Sequence, residues 1–266
     1  MRKPYIVVLA ILFALMTLIS CDTGPAPATT PLPTATPQPS PTPTIELIEV
    51  TSADVTFLPA TGDAELRGTL YGQHRVGVIL SHGIGSATSN RGRWESFAEY
   101  LAARGFMVLT YDAAGYGESQ GFTGGMSALR SLQGAITLMR EQGAEQIILM
   151  SELIGAPVTL DVAAANEGGD IIGVATLSAA RQSRDQVVGI SDEELATLTM
   201  PSLWIAASDT VYAQEVALMY EAAAGPDKEL HIYDGDFRGT ELFRAYGDDL
   251  EQRLLDFVIH AVDSAQ

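Results

Sequence analysis

The sequence predicts an α/β protein built on a mostly parallel sheet with helices on both faces. Two observations carry that prediction. Apolar runs of strand length recur from residue 45 onward, and from residue 76 they alternate with amphipathic stretches of helical length. Such alternation packs best as helices covering both faces of a parallel sheet. The 222 residues from 45 to 266 are enough for one such core.

Strands are expected at 45–50, 55–58, 66–71, 76–81, 106–111, 146–150, 171–178, 202–206 and 229–233, each a run of apolar or alternating residues. The first two or three follow one another with no helix between them, which predicts a meander before the β-α alternation begins. Helices are expected where the period changes. The stretch 93–105 spaces Trp94, Phe97 and Leu101 on one face and ends at Gly105, while 127–142 and 155–166 read similarly and 241–263 closes the chain.

Ahead of this region the composition changes twice. Residues 1–21 combine Arg2 and Lys3 with the apolar run "YIVVLAILFALMTLI", too short for a comfortable membrane span, and are expected to be a removable export signal. Its end, Leu18-Ile19-Ser20-Cys21, resembles the bacterial lipobox, which implies a lipid on Cys21 and attachment to the cell-envelope membrane from the extracytoplasmic side. Cys21 is the chain's only cysteine, so no internal disulfide can form. Residues 22–44 hold eight prolines and almost nothing able to build a core. At ~3.1 Å per residue, such a disordered stalk could hold a domain up to about 70 Å from its anchor.

Setting Arg2, Lys3 and Asp22 aside from the 15 basic and 33 acidic residues leaves 13 and 32, a formal charge of −19 on the domain. A surface this acidic repels nucleic acid and anionic lipid headgroups alike.

Ligands on parallel sheets bind beyond the carboxyl ends of the strands. There, the strand at 76–81 runs into His82-Gly83-Ile84-Gly85, and the strand at 106–111 into Asp112-Ala113-Ala114-Gly115-Tyr116-Gly117-Glu118-Ser119-Gln120-Gly121. In these two motifs and their spacing the chain resembles the α/β-hydrolase family, in particular its serine-aminopeptidase and monoacylglycerol-lipase type. The resemblance implies a nucleophile on a sharp strand-to-helix turn, an acid after a later strand, and a histidine after the last strand.

Gly117-Glu118-Ser119-Gln120-Gly121 matches Gly-x-Ser-x-Gly letter for letter. That motif presents a nucleophile only when the serine sits directly between strand and helix. Ser119 lies eight residues past its strand, so it is expected to be structural. The segment with the right context is Ser151-Glu152-Leu153-Ile154-Gly155, where the resemblance places the nucleophile at Leu153. Leucine has no proton to give up and no lone pair. With no reaction to serve, the strained turn is expected to relax.

The acid position falls on Asp209 and the histidine position on Arg238, in Gly235-Asp236-Phe237-Arg238-Gly239. A guanidinium cannot accept the proton. Loss of either the serine or the histidine of such a unit costs on the order of a millionfold in turnover. Residual oxyanion donors are expected at the backbone N–H groups of Ile84 or Gly85 and Ile154. Asp209 and Arg238 are expected to pair across the site, arginine and carboxylate being matched for two parallel bonds.

Nothing obvious replaces the missing groups. His74, His82, His231 and His260 lack a partner at nucleophile spacing, although Ser151, Ser178 and Ser208 end strands and could line the crevice. No dinucleotide fingerprint and no metal-ligand spacing is present, so no cofactor and no metal is expected. The 21 polar residues at 179–199 leave little room for a large lid. The sequence therefore predicts a lipid-anchored pseudo-hydrolase that binds a small ester, amide or acid, or an envelope protein. The competing expectation is an active serine esterase or peptidase with a relocated nucleophile.

Overall fold

The computed structural model describes residues 47–85 and 89–266. The export signal, Cys21, the stalk and Ser86–Thr88 lie outside the described residues. Eight strands form one sheet in the order β1-β2-β4-β3-β5-β6-β7-β8. They are β1 Ser52–Phe57, β2 Leu66–Tyr71, β3 Val76–Ser81, β4 Met107–Tyr111, β5 Gln146–Glu152, β6 Ile171–Leu177, β7 Ser202–Ala207 and β8 Lys228–Tyr233. β1 and β2 meander antiparallel onto β4, and every later pairing is parallel.

The central strands are buried on both faces because their residues alternate between two cores. Ile79, Leu109, Ile147 and Leu149 point into one, and Val78, Leu80, Val108, Ile148 and Met150 into the other. The first core is covered by α2 (Gly125–Glu141), α3 (Ala156–Ala165), α4 (Asp192–Leu195) and α5 (Tyr212–Ala222). The second lies under α1 (Glu95–Ala102) and α6 (Glu241–Ser264), the latter kinked at Gly247. The expected α/β class and its two helical layers are present. Among the described residues no helix is long and apolar enough to cross a membrane.

Three boundaries differ from expectation. The strand expected at 45–50 does not form over its described part, residues 47–50, where Leu47 and Ile48 are exposed, the Ile48 N–H donates to the Ala103 carbonyl at the end of α1 at 2.8 Å, and Val50 packs on the second core. Alternation without a partner edge makes no strand. The strand expected at 55–58 is Ser52–Phe57, an edge strand whose pattern is mostly exposed. α5 was not expected, because exposed Val211 and Leu218 blur a stripe of which only Val216 and Met219 are buried.

Segment 179–199 is a short hairpin followed by the one-turn α4, whose capping box joins Ser191 and Glu194. It forms no large cap.

Candidate functional site

β5 runs into a single 3-10 turn, Leu153–Gly155, and then α3. At that junction Leu153 has φ 52°. A leucine in the left-handed region costs about 1–2 kcal/mol, so the expectation of a relaxed turn is wrong. The surroundings hold it there. The Leu153 carbonyl accepts from the amides of Ala156 and Ala180, the latter at 3.2 Å. The loop after β3 presses on the turn as well. A Cβ on Gly155 would lie 2.7 Å from the His82 carbonyl, and one on Gly83 would lie 3.2 Å from the Leu153 Cβ. Relaxing the dihedral would break packing that does not depend on the side chain at 153.

The residue before it, Glu152, is the group sequence reasoning missed. Its carboxylate is fully buried and joins four segments. Arg93, in the turn that leads into α1, donates through Nε at 2.6 Å and Nη2 at 3.2 Å. The Gly83 amide donates at 3.2 Å, and Thr240 donates through its amide at 2.7 Å and its hydroxyl at 3.0 Å. The carboxylate in turn pushes the Arg93 guanidinium above its ordinary range. Gly239 is drawn in so closely that a Cβ there would fall 2.2 Å from Glu152 Oε2 and 3.1 Å from Leu153 Cγ. The turn after β8 therefore rests on top of the elbow.

That geometry also decides the fate of Asp209 and Arg238. Both are exposed, and among the described residues no ion pair joins them. The expected charge pair is absent because each segment has other partners. Asp209 accepts from Ser208 Oγ at 2.9 Å and its amide donates to the Gly235 carbonyl. The Arg238 amide donates to Glu241 Oε2 at 3.2 Å, while the next amides, of Gly239 and Thr240, go to Ser178 Oγ and Glu152. The backbone of the turn is pinned inward and the guanidinium is left in water, where an ion pair is worth little.

The four histidines are engaged elsewhere. His82 is buried, with Nδ1 against the Gly83 carbonyl at 3.0 Å and Nε2 accepting from the Ala113 amide at 3.1 Å. This network assigns the neutral tautomer with the proton on Nδ1. Burial holds the ring below its ordinary pKa of 6.5. His74 Nδ1 accepts from the Val76 amide, His260 meets Asp227 at 2.6 Å, and His231 stacks edge-on to Tyr233. Among the described residues no hydrogen bond joins an imidazole to a hydroxyl. Ser151 Oγ is buried without a partner there, Ser178 Oγ accepts from Gly239, and Ser208 Oγ serves Asp209 and Gly235. Ser119 is structural as expected: its hydroxyl donates to the Asp112 carbonyl at 2.6 Å and accepts from the Arg67 amide at 2.8 Å.

The residues expected to carry the oxyanion donors lie close together. Ile84 is buried, Gly85 approaches Ile154 so closely that a Cβ would be 3.0 Å from its Cδ1, and Arg184 Nη1 donates to the Gly85 carbonyl at 2.8 Å. Beside them opens a cleft of about 280 Å³, walled by Ile84, Gly85, Tyr116, Thr123, Gly124, Gly125, Arg184 and Asp185. Leu153 is not part of its wall.

A meander leading into a parallel sheet, a left-handed residue between β5 and its helix, and loops converging on that residue define an α/β-hydrolase fold. Residues 72–201 match the serine aminopeptidase (S33) family. Among solved structures it is similar to the esterase Pf2001 of Pyrococcus furiosus, with a TM-score of 0.69 and 16% identity over 80% of this chain and 91% of that one. A thermophilic esterase from Thermogutta terrifontis matches with a TM-score of 0.64 and 14% identity, over 79% of this chain and 99% of that one. Proline iminopeptidase from Mycobacterium smegmatis matches with a TM-score of 0.63 and 12% identity, over 80% of this chain and 100% of that one. Identities this low establish the shared fold alone. No curated protein sequence matches the chain.

Two outcomes follow from the site. Glu152→Ala strands Arg93 and three further donors, and urea unfolding should show a loss of about 3–5 kcal/mol, the range for breaking a buried pair from one side. Arg93→Ala should cost less in the Glu152→Ala background than in the wild type, and equal costs in both would mean that the two side chains are uncoupled. The second outcome concerns His82. Its folded pKa is depressed, so the unfolded chain binds more protons once the pH drops below about 6.5. Stability should fall from there downward more steeply in the wild type than in His82→Gln, by up to about 1.4 kcal/mol per pH unit. Parallel pH profiles would refute a buried neutral imidazole.

Proposed function

We propose that this domain is a non-catalytic hydrolase-fold protein, tethered outside the cytoplasm by a lipid on Cys21, which works by binding. The observation that carries the reading is the pairing of Leu153, held at φ 52° in the nucleophile's place, with four imidazoles that each face a partner other than a hydroxyl. An acyl-enzyme needs an attacking oxygen and a base to take its proton. Neither group stands at the elbow, and the turn after β8 packs directly on Leu153, a Cβ on Gly239 falling 3.1 Å from its Cγ.

The surface left for a ligand is the cleft beside Ile84 and Gly85. Its volume suits a small molecule, and its lining includes Tyr116, Thr123 and Arg184, side chains of a kind that donates hydrogen bonds. A small ester, amide or acid with an acceptor oxygen fits that set. A second reading, an active serine hydrolase with a relocated nucleophile, has one observation in its favour. Ser178 also holds a left-handed conformation, φ 53°, at the end of β6 beside the elbow. It is fully buried, however, and its oxygen already accepts the Gly239 amide.

A fluorophosphonate probe separates the two readings. The parent chain should remain unlabelled, and a single modified serine, Ser178 above all, would establish the active alternative. Because the turn after β8 is pinned by Ser178 and Glu152 and leaves the side chain at 238 exposed, neither Leu153→Ser nor Leu153→Ser with Arg238→His should regain labelling, and a labelled double variant would show that residue 238 reaches the elbow. The anchor has its own test. Metabolic labelling with an alkyne fatty acid should mark the full chain and vanish in Cys21→Ala, and a protein released to the medium without label would remove the membrane from the proposal.

A further inference from the structure

One wall of the 280 Å³ cleft is the tip of the hairpin between β6 and α4, and we infer that this tip is a gate latched by the Asp185 carboxylate on the first turn of α2. The inference concerns access to the cleft and stands whether or not the domain is catalytic.

The hairpin has a firm root and a loose tip. Gln182 and Gly189 bridge antiparallel, Ser183 N–H donates to the Val188 carbonyl at 2.7 Å, and Ile190 N–H donates to the Arg181 carbonyl at 3.1 Å. Ser183, Val188 and Ile190 are buried, whereas Arg184, Asp185, Gln186 and Val187 are exposed. The tip therefore holds its position by polar contacts rather than by burial.

Those contacts are specific. Asp185 Oδ2 accepts from the Gly125 amide at 2.9 Å, and Oδ1 accepts from the Ser183 hydroxyl at 2.5 Å and the Val187 amide at 3.3 Å. The seat admits a carboxylate because it is made of glycines. A Cβ on Gly125 would lie 2.6 Å from Ser183 Oγ and 2.9 Å from Asp185 Oδ1, and one on Gly124, at φ 143°, 3.1 Å from Asp185 Oδ2. A carboxylate is also the charge that the amide end of a 17-residue helix favours, and α2 has no acidic residue of its own in its first turn. On the other flank Arg184 holds the Gly85 carbonyl, so the tip spans from the loop after β3 to α2 and closes the cleft between them.

Contacts made at solvent by exposed side chains belong to the least stable part of a structure and open without global unfolding. The latch should therefore release while the sheet stays folded. Hydrogen exchange of the full-length protein tests this from both sides of the contact. Asp185→Ala removes the carboxylate, and Gly125→Ala fills its seat with a residue that ordinarily favours helix. Each should speed exchange of the tip amides of Gln186 and Val187 at least tenfold and leave the β5 amides unchanged, with Asp185→Asn intermediate. Unchanged tip exchange in both variants would overturn the latch. Equal acceleration of tip and sheet would also overturn it, by showing that the hairpin opens only with the whole fold.

Discussion

A single buried carboxylate organises the functional end of this molecule. Glu152 lies at the end of β5 and accepts hydrogen bonds from the turn before α1, from the loop after β3 and from the turn after β8. Isolated in the interior, such a charge would cost several kcal/mol. Here a two-pronged contact with Arg93 and three further donors satisfy it, and the requirement runs both ways. Two of the segments that the carboxylate gathers, the loop after β3 and the turn after β8, are those on which the family resemblance places the oxyanion donors and the base. Their convergence is thus secured by electrostatics that make no use of a triad.

This explains how a leucine is held in the left-handed conformation between β5 and α3. Strain at an unusual backbone conformation persists when neighbouring structure over-determines it. At Leu153 that structure is Glu152 on one side and Gly155 on the other, the latter packed against the His82 carbonyl, with Gly83 and Gly239 lying on the leucine itself. The isobutyl group occupies the space between two glycine turns. The frame and the chemistry were separable, because the frame is specified by residues that do not react.

Much of this was legible in the sequence. The parallel core could be read because β3, β4, β5 and β7 are buried on both faces and appear as unbroken apolar runs. The structural role of Ser119 followed from its distance to the strand end. The edge was harder. β1 is mostly exposed, so its burial leaves little pattern: the strand expected at 55–58 begins three residues earlier, and the alternation at 45–50 suggested a further strand that does not form over residues 47–50. The Asp209–Arg238 pair failed for a different reason. Sequence gives the identity of two side chains but not the competition for the backbone between them, which Ser178 and Glu152 win. Glu152 itself was visible only as the variable letter of a motif. The available signal was an acidic residue inside an apolar strand end, which demands a buried partner, and Arg93 lies 59 residues away.

The distribution of cations carries the same logic to the surface. Arg91 is committed to Asp112 and Glu118, Arg93 to Glu152, Arg140 to Asp170, Arg181 to Asp192 and Arg253 to Glu229. Lys228 is spent on the carbonyls of Tyr220 and Ala223, and Arg184 on Gly85. With so few basic residues, most of them tie loops and elements together, and the outer face is left to unpaired carboxylates. A domain of charge −19 built this way uses its cations as internal fasteners. Arg184 is the instructive case, since the cation that lines the cleft is also the one that holds the hairpin tip to the loop after β3. The Gly85 carbonyl takes one N–H, on Nη1, of a guanidinium that has five, so an acceptor oxygen in the cleft can be met without giving up that contact, and recognition and closure draw on the same side chain.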